Sequence, residues 1–254
     1  MPLQPHKIGF VSVILPTYNE AGNIVELAEA IHAAVKHPKE IIVVDDNSPD
    51  GTSRLIQELI AKKTVPELRL ETRLTDRGFR KSIARGIELS KGDTIVWMDC
   101  DFSMPPEAIP ELLAKIEQGL DLAVGSRFLV GGEAKAVDSH GGMESPLVIV
   151  LSRILNWLTR LLLYPSFHDY TSGFIAIRKD VLSTLPLRGD YGEHFMSLIV
   201  RAHIQKRSIV EIPYICAPRF AGESKTGQHP FRFGIKYLRM LAKLWWIKMR
   251  NDAR

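Results

Sequence analysis

Short β-branched and apolar runs, each followed by a segment of helical periodicity, constrain this chain more than any other feature. The runs are Gly9 to Leu15, Ile41 to Val44, Leu68 to Glu71 and Thr94 to Met98. The first alternates little between apolar and polar, as strands buried on both faces do. Asn23 to Val35 places Ile24, Leu27, Ala28, Ile31 and Val35 along one helix face. Helices are expected again over about Ser53 to Ala61 and Ser82 to Ser90, and a further strand over Ile209 to Pro213. Strand and helix in alternation predict an α/β fold, a mostly parallel sheet with helices on both faces. A chain of 254 residues suits one such domain.

In these sheets ligands bind beyond the carboxyl ends of the strands. Three such ends carry polar clusters: Pro16-Thr17-Tyr18-Asn19-Glu20, then Asp45-Asp46-Asn47-Ser48-Pro49-Asp50-Gly51-Thr52, then Asp99-Cys100-Asp101. Asp99 and Asp101 lie two apart, so on a strand they share a face. Carboxylates placed together repel unless a cation lies between them. Oxygen ligands suit Mg or Mn, which keep positions open for substrate phosphates. A strand-end acid such as Asp101 is expected to be exposed. The alternative is two solvated turn acids ahead of a Pro-Pro helix start. No Gly-x-Gly-x-x-Gly follows the first run and no Gly-x-x-x-x-Gly-Lys-Thr occurs, so a nucleotide would be held by side chains and metal.

The net charge of +4 hides an asymmetry: from Arg219 onward nine Lys and Arg stand against two acids. A local basic surplus calls for an anionic partner, whether nucleic acid, phosphorylated substrate or lipid headgroups. Nucleic acid is disfavoured, because no reading motif or basic-aromatic sheet face is present. A helix over Phe231 to Arg250 would align Arg232, Lys236, Arg239, Lys243 and Arg250, with Phe231, Phe233, Trp245 and Trp246 on its other face. That composition suits an anionic membrane surface, the alternative being a membrane-embedded partner protein. Pro146 to Tyr164 puts Ser152, Arg153, Asn156, Thr159 and Arg160 on one stripe of an otherwise apolar helix. It is too short and too polar for a transmembrane span of about 20 residues. It reads either as an interfacial helix or as one packed on the sheet or a second subunit. Arg178 to Leu185 reads as a short helix. The two cysteines and the absence of a secretory leader point to a cytoplasmic location, peripheral on the cytosolic membrane face. None of the eight histidines pairs with another at metal-ligand spacing.

Those three clusters, together with Gly125-Ser126-Arg127-Phe128, Asp169-Tyr170-Thr171-Ser172-Gly173-Phe174 and Gly222-Glu223-Ser224-Lys225, resemble the ordered motifs of inverting glycosyltransferases of the GT-A fold. The resemblance is to the polyprenyl-phosphate branch that includes dolichyl-phosphate mannose synthases, and it spans roughly residues 10 to 227. It implies a sugar moved from a nucleotide-diphosphate sugar, GDP-mannose or a UDP-hexose, to a polyprenyl phosphate. Pro16, Tyr18, Glu20 and Asp46 would contact the nucleotide, and Asp99 and Asp101 the metal on its diphosphate. Arg127, Arg219 and Lys225 would serve the acceptor phosphate, in a loop that orders around Gly222, with Arg127 following a Gly125-Ser126 turn. On this basis residues 1–230 form the transferase domain, about 9–101 for the nucleotide and 102–230 for the acceptor, and 231–254 a basic amphipathic helix. The chain differs from the family pattern at Arg77-Gly78-Phe79-Arg80-Lys81-Ser82, at Phe102-Ser103-Met104, and around Glu193 and His194 where a helix-borne acid stands in another register. Two other readings remain: transfer to a saccharide or other hydroxyl, which needs a carboxylate base, and a non-catalytic nucleotide-sugar binder.

Overall fold

The computed structural model describes residues 3–133, 146–217, 220–221 and 230–252, with the side chains of 146–149, 151–152 and 230–233 excepted. Arg219 and Lys225, with the Gly222 motif, lie outside the described residues.

The strands are β1 (Val11–Thr17), β2 (Lys39–Asp45), β3 (Leu68–Thr72), β4 (Thr94–Trp97), β5 (Leu122–Ser126), β6 (Ile175–Arg178) and β7 (Ile209–Pro213). They form one sheet in the order β3-β2-β1-β4-β6-β5-β7. All neighbours are parallel except β6, which runs antiparallel to both β4 and β5. The helices are α1 (Ile24–Ala34), α2 (Thr52–Lys62), α3 (Phe79–Leu89), α4 (Ile109–Glu117), α5 (Pro146–Leu162), α6 (Lys179–Leu182), α7 (Glu193–Ile204) and α8 (Pro230–Asp252).

Alternation along each strand divides the core in two. Val11, Val13 and Leu15 of β1 pack with α1, α2 and α4, whereas Ile14 packs on the other face with α3, α6, α7 and α8. A Cβ on Gly86 of α3 would overlap Ile14, so the glycine lets that helix approach the sheet closely. The short helix expected from Arg178 begins one residue later, at Lys179, with Arg178 ending β6, and Gly125-Ser126 closes β5 rather than making a turn.

Two helices are oriented in ways that amphipathicity alone does not give. The polar stripe of α5 faces inward in part: Asn156 and Thr159 are buried, while Val150, Ile154, Trp157, Leu161 and Leu162 are exposed, Trp157 by 59%. The reason is local demand for polar partners. The Asn156 amide donates to the His168 carbonyl at 2.5 Å and accepts from the Tyr170 N–H at 3.0 Å, and Thr159 donates to the Leu155 carbonyl. In α8 the packed side is a third face, Leu241 and Leu244 with Tyr237, Met240 and Ile247, so Trp245 and Trp246 share the outside with Arg239 and Lys243. Helix α8 packs on α7 and α5. No helix among the described residues is long and apolar enough to cross a membrane.

Candidate functional site

The sheet register brings the polar clusters to one edge. β1 and β2 stop level, Thr17 beside Asp45, whereas β4 ends at Trp97 opposite Ile14. The chain past Trp97 then runs beside Pro16, where the Cys100 thiol meets the Pro16 carbonyl at 3.5 Å. Asp99 and Asp101 therefore stand on a turn beyond the strand, and the shared strand face expected from their spacing is not how they meet. The turn passes through Phe102 at φ 64°, and the loops after β1, β2 and β3 each hold a left-handed non-glycine residue too: Asn19, Asn47 and Asp76. Such conformations cost of order 1–3 kcal/mol and gather where a site needs a particular backbone.

Asp101 is buried, 2% exposed, rather than exposed as expected. Its Oδ1 accepts the Ser103 N–H at 2.9 Å, and its carbonyl accepts the Phe220 N–H at 3.1 Å. The rings of Phe102 and Phe220 meet at 5.6 Å. Ala221 then reaches Asn23, whose amide donates to the Ala221 carbonyl at 3.1 Å and to Glu20 at 2.8 Å. The described end of the expected acceptor loop thus crosses both the Asp101 turn and the β1 loop.

Tyr18 is exposed beyond β1, while Glu20 is buried beside Asn23, its main-chain N–H bound by the Thr52 hydroxyl at 3.1 Å. Asp50 fixes this corner, accepting from Ala21 N–H at 2.9 Å and Thr52 hydroxyl at 2.6 Å. Burial works against the Asp50 charge, and these hydrogen bonds outweigh it, so its pKa lies below the usual range. Asp46 is engaged by the chain itself: Arg73 at 3.1 Å, the Ser82 hydroxyl at 2.8 Å and the Gly78 N–H at 2.6 Å. The Arg77 to Ser82 segment is therefore the clamp on Asp46, which its sequence did not reveal.

Arg127, just past β5, pairs with Asp169. Asp169 Oδ2 accepts the Arg127 N–H at 3.0 Å and Nε at 2.8 Å, and Oδ1 accepts Nη2 at 2.8 Å. Thr171 takes a second Nη2 proton at 2.8 Å. Burial disfavours the guanidinium charge, but the Asp169 charge and its hydrogen bonds outweigh that, so Arg127 is held well above its ordinary pKa. The Asp169 loop is itself held by Glu211 of β7, which accepts from the Asp169 N–H at 2.9 Å and the His168 N–H at 2.7 Å, and by Asn156 of α5. Asp169 and Thr171 belong to a motif visible in the sequence and Asn156 to the polar stripe of α5, whereas Glu211 gave no sequence signal.

Beside Arg127 lies a cavity of about 510 Å³, lined by Arg127, Phe128, Gly132, Glu133, Arg153, Asn156, Trp157 and Arg160. Three guanidiniums against one carboxylate make it a place for an anion. Trp157 joins it to the exposed apolar stripe of α5. Across the site, Glu193 at the start of α7 is buried, and its two carboxylate oxygens accept the Asp190 and Tyr191 N–H groups at 3.0 and 3.2 Å.

Residues 12–185 match the model of glycosyl transferase family 2. The chain is 37% identical over 216 residues to a dolichol-phosphate mannosyltransferase of Pyrococcus furiosus, covering 85% of this chain and 58% of that one. It thus spans under two thirds of that relative's length. It is 34% identical over 219 residues to a polyprenol monophosphomannose synthase of Mycolicibacterium smegmatis, covering 84% of this chain and 79% of that one. Its fold matches the crystal structure of glucosyl-3-phosphoglycerate synthase from Mycobacterium tuberculosis in complex with Mn2+, UDP and glucosyl-3-phosphoglycerate, with a TM-score of 0.68 at 18% identity over 92% of this chain and 79% of that one. With the family model, the sequence relatives and the fold match in agreement, the chain belongs to glycosyl transferase family 2 and is a glycosyltransferase of the GT-A fold.

Proposed function

We propose that this glycosyltransferase moves a sugar from a nucleotide-diphosphate sugar to a polyprenyl phosphate at the cytosolic face of a membrane. The observation that carries the reading is the arginine-lined cavity joined through Trp157 to the outward apolar stripe of α5. A phosphate with a long apolar tail is the ligand that such a pair of surfaces fits. The names of the relatives from Pyrococcus furiosus and Mycolicibacterium smegmatis support the same acceptor class.

In this reading Tyr18 and the Glu20 and Asp46 loops take the nucleoside beside Pro16, within residues 9–101. Residues 102–230 take the acceptor, and 231–254 lie on the lipid. Asp99 and Asp101 would hold Mg or Mn. The donor chemistry fits: both are carboxylates, hard oxygen ligands that leave positions open for diphosphate oxygens. Such an ion supplies charge stabilisation to a departing diphosphate. An acceptor phosphate oxygen attacks the anomeric carbon, the bond to the diphosphate breaks with its electron pair leaving on the diphosphate, and configuration inverts.

The acceptor is already anionic near neutral pH and needs alignment rather than a base. The Glu193 contacts favour it over a hydroxyl acceptor, because that carboxylate caps two main-chain N–H groups instead of facing a nucleophile. Two anions brought within a few ångströms repel by a few kcal/mol even at an effective dielectric near 20, which Arg127, Arg153 and Arg160 would offset, with Arg219 and Lys225 assigned the same task.

The test is a panel of nucleotide sugars with a short polyprenyl phosphate and Mn or Mg, read by product mass. A lipid gaining one sugar, abolished by chelator, is expected. No product from any donor would refute the reading.

A further inference from the structure

Helix α8 packs on α7, and at that seam one side chain meets the turn that leads into α7. Gly192 has φ −55° and ψ −22°, ordinary helical values that alanine adopts freely. Yet a Cβ there would overlap the Tyr237 hydroxyl, so the constraint on this position comes from the phenol and not from the backbone. One residue earlier on α8, Lys236 lies 3.8 Å from the Asp190 carboxylate. Two consecutive residues of α8 therefore meet both ends of the Asp190-Tyr191-Gly192 turn. That turn is the one Glu193 caps, and its Tyr191 ring lies 5.5 Å from Phe79, the residue after the Gly78 N–H that binds Asp46.

Burial foremost, then Glu193 and Asp99, push the Tyr237 phenol well above its ordinary pKa, so it is a neutral donor. The same helix turns Ile235, Leu238, Trp245 and Trp246 outward.

We propose that Tyr237 is a positioning residue of the transfer site: seated on Gly192, it holds in place the Asp190 to Glu193 turn, which packs through Tyr191 on Phe79, making the docked C-terminal helix part of the catalytic geometry. What is transferred rests on the function proposed above; the seat does not.

The test uses the full chain with Tyr237→Phe, Gly192→Ala and the double variant. Each is read by kcat, by the KM of donor and acceptor, and by hydrogen exchange at the amides of residues 190–193. Tyr237→Phe should lower kcat about tenfold, leave donor KM unchanged and speed exchange of the turn. Gly192→Ala should be worse than Tyr237→Phe, because its methyl meets the hydroxyl. The double variant should recover most of the way toward the Tyr237→Phe level, since removing the oxygen leaves only the ring carbon, 3.2 Å from the new methyl. Wild-type kcat and exchange in both single variants would overturn the proposal, as would a double variant no better than Gly192→Ala. Exchange needs no acceptor: a wild-type protein that leaves polyprenyl phosphate untouched refutes the proposed function, and exchange then decides the seat alone.

Discussion

Asp169 grips Arg127 along one edge of the guanidinium, through Nε and Nη2, and leaves Nη1 without a partner among the described residues. The pair thus fixes the arginine's orientation while its other edge serves the cavity. Asp169→Ala leaves a half-buried guanidinium without its carboxylate and should cost about 1–3 kcal/mol in urea unfolding. Arg127→Lys keeps the charge but loses the fork. It should raise the acceptor KM and leave donor binding nearly unchanged; an effect confined to the donor would move Arg127 to the diphosphate.

Asp101→Ala should lower metal-dependent transfer by on the order of a thousandfold. Because Asp101 is buried and bonded to the Ser103 N–H, the change should also cost about 1 kcal/mol of stability. Turnover and thermal unfolding of the same preparation separate the two effects. Wild-type turnover by the folded variant would contradict the role given to this acid.

His194 makes acid stability measurable. Its Nδ1 lies 2.6 Å from the Tyr191 carbonyl and so carries the proton, while Nε2 has no partner among the described residues. Burial pushes its pKa down to about 4. The unfolded chain, with an ordinary histidine near 6.5, binds a proton that the folded one refuses, so stability falls as pH drops from about 6.5 to about 4 and levels off below. The loss is on the order of 3 kcal/mol from this group. Burial lowers His203 as well, in the same direction. Urea midpoints of wild type and His194→Gln across this range should therefore converge toward pH 4, the variant showing the shallower slope.

The outward faces of α5 and α8 should bind lipid. Trp157→Ser combined with Trp245→Ser should weaken sedimentation with anionic vesicles and leave nucleotide binding intact. Arg239→Glu with Lys243→Glu should do so in a salt-dependent way, each basic residue being worth about 1 kcal/mol near such a surface. Unchanged sedimentation would give these helices another task.

Much of this arrangement can be read in the sequence, and the illegible part has physical causes. Strands β1 to β4 and α1 to α3 follow from β-branched runs and apolar periodicity, and the polar clusters fall at carboxyl ends because a parallel sheet leaves no other place for a ligand. The antiparallel β6 between β4 and β5 is four residues long, and its pairing is a tertiary choice that no local pattern carries. The Arg127 and Asp169 motifs are both visible, but their ion pair spans 42 residues. The direction of α5 cannot be read from amphipathicity, since the polar stripe turns inward to bind the His168 and Tyr170 backbone. Tyr237 looks like any aromatic on a basic helix until Gly192 is found beneath it.

Whether a lipid phosphate is the nucleophile is decided by offering a polyprenyl phosphate and the corresponding polyprenol side by side, with one donor and metal, and weighing both products. A sugar on the phosphate and none on the alcohol is expected. Transfer to the alcohol at a comparable rate would contradict the phosphate as nucleophile.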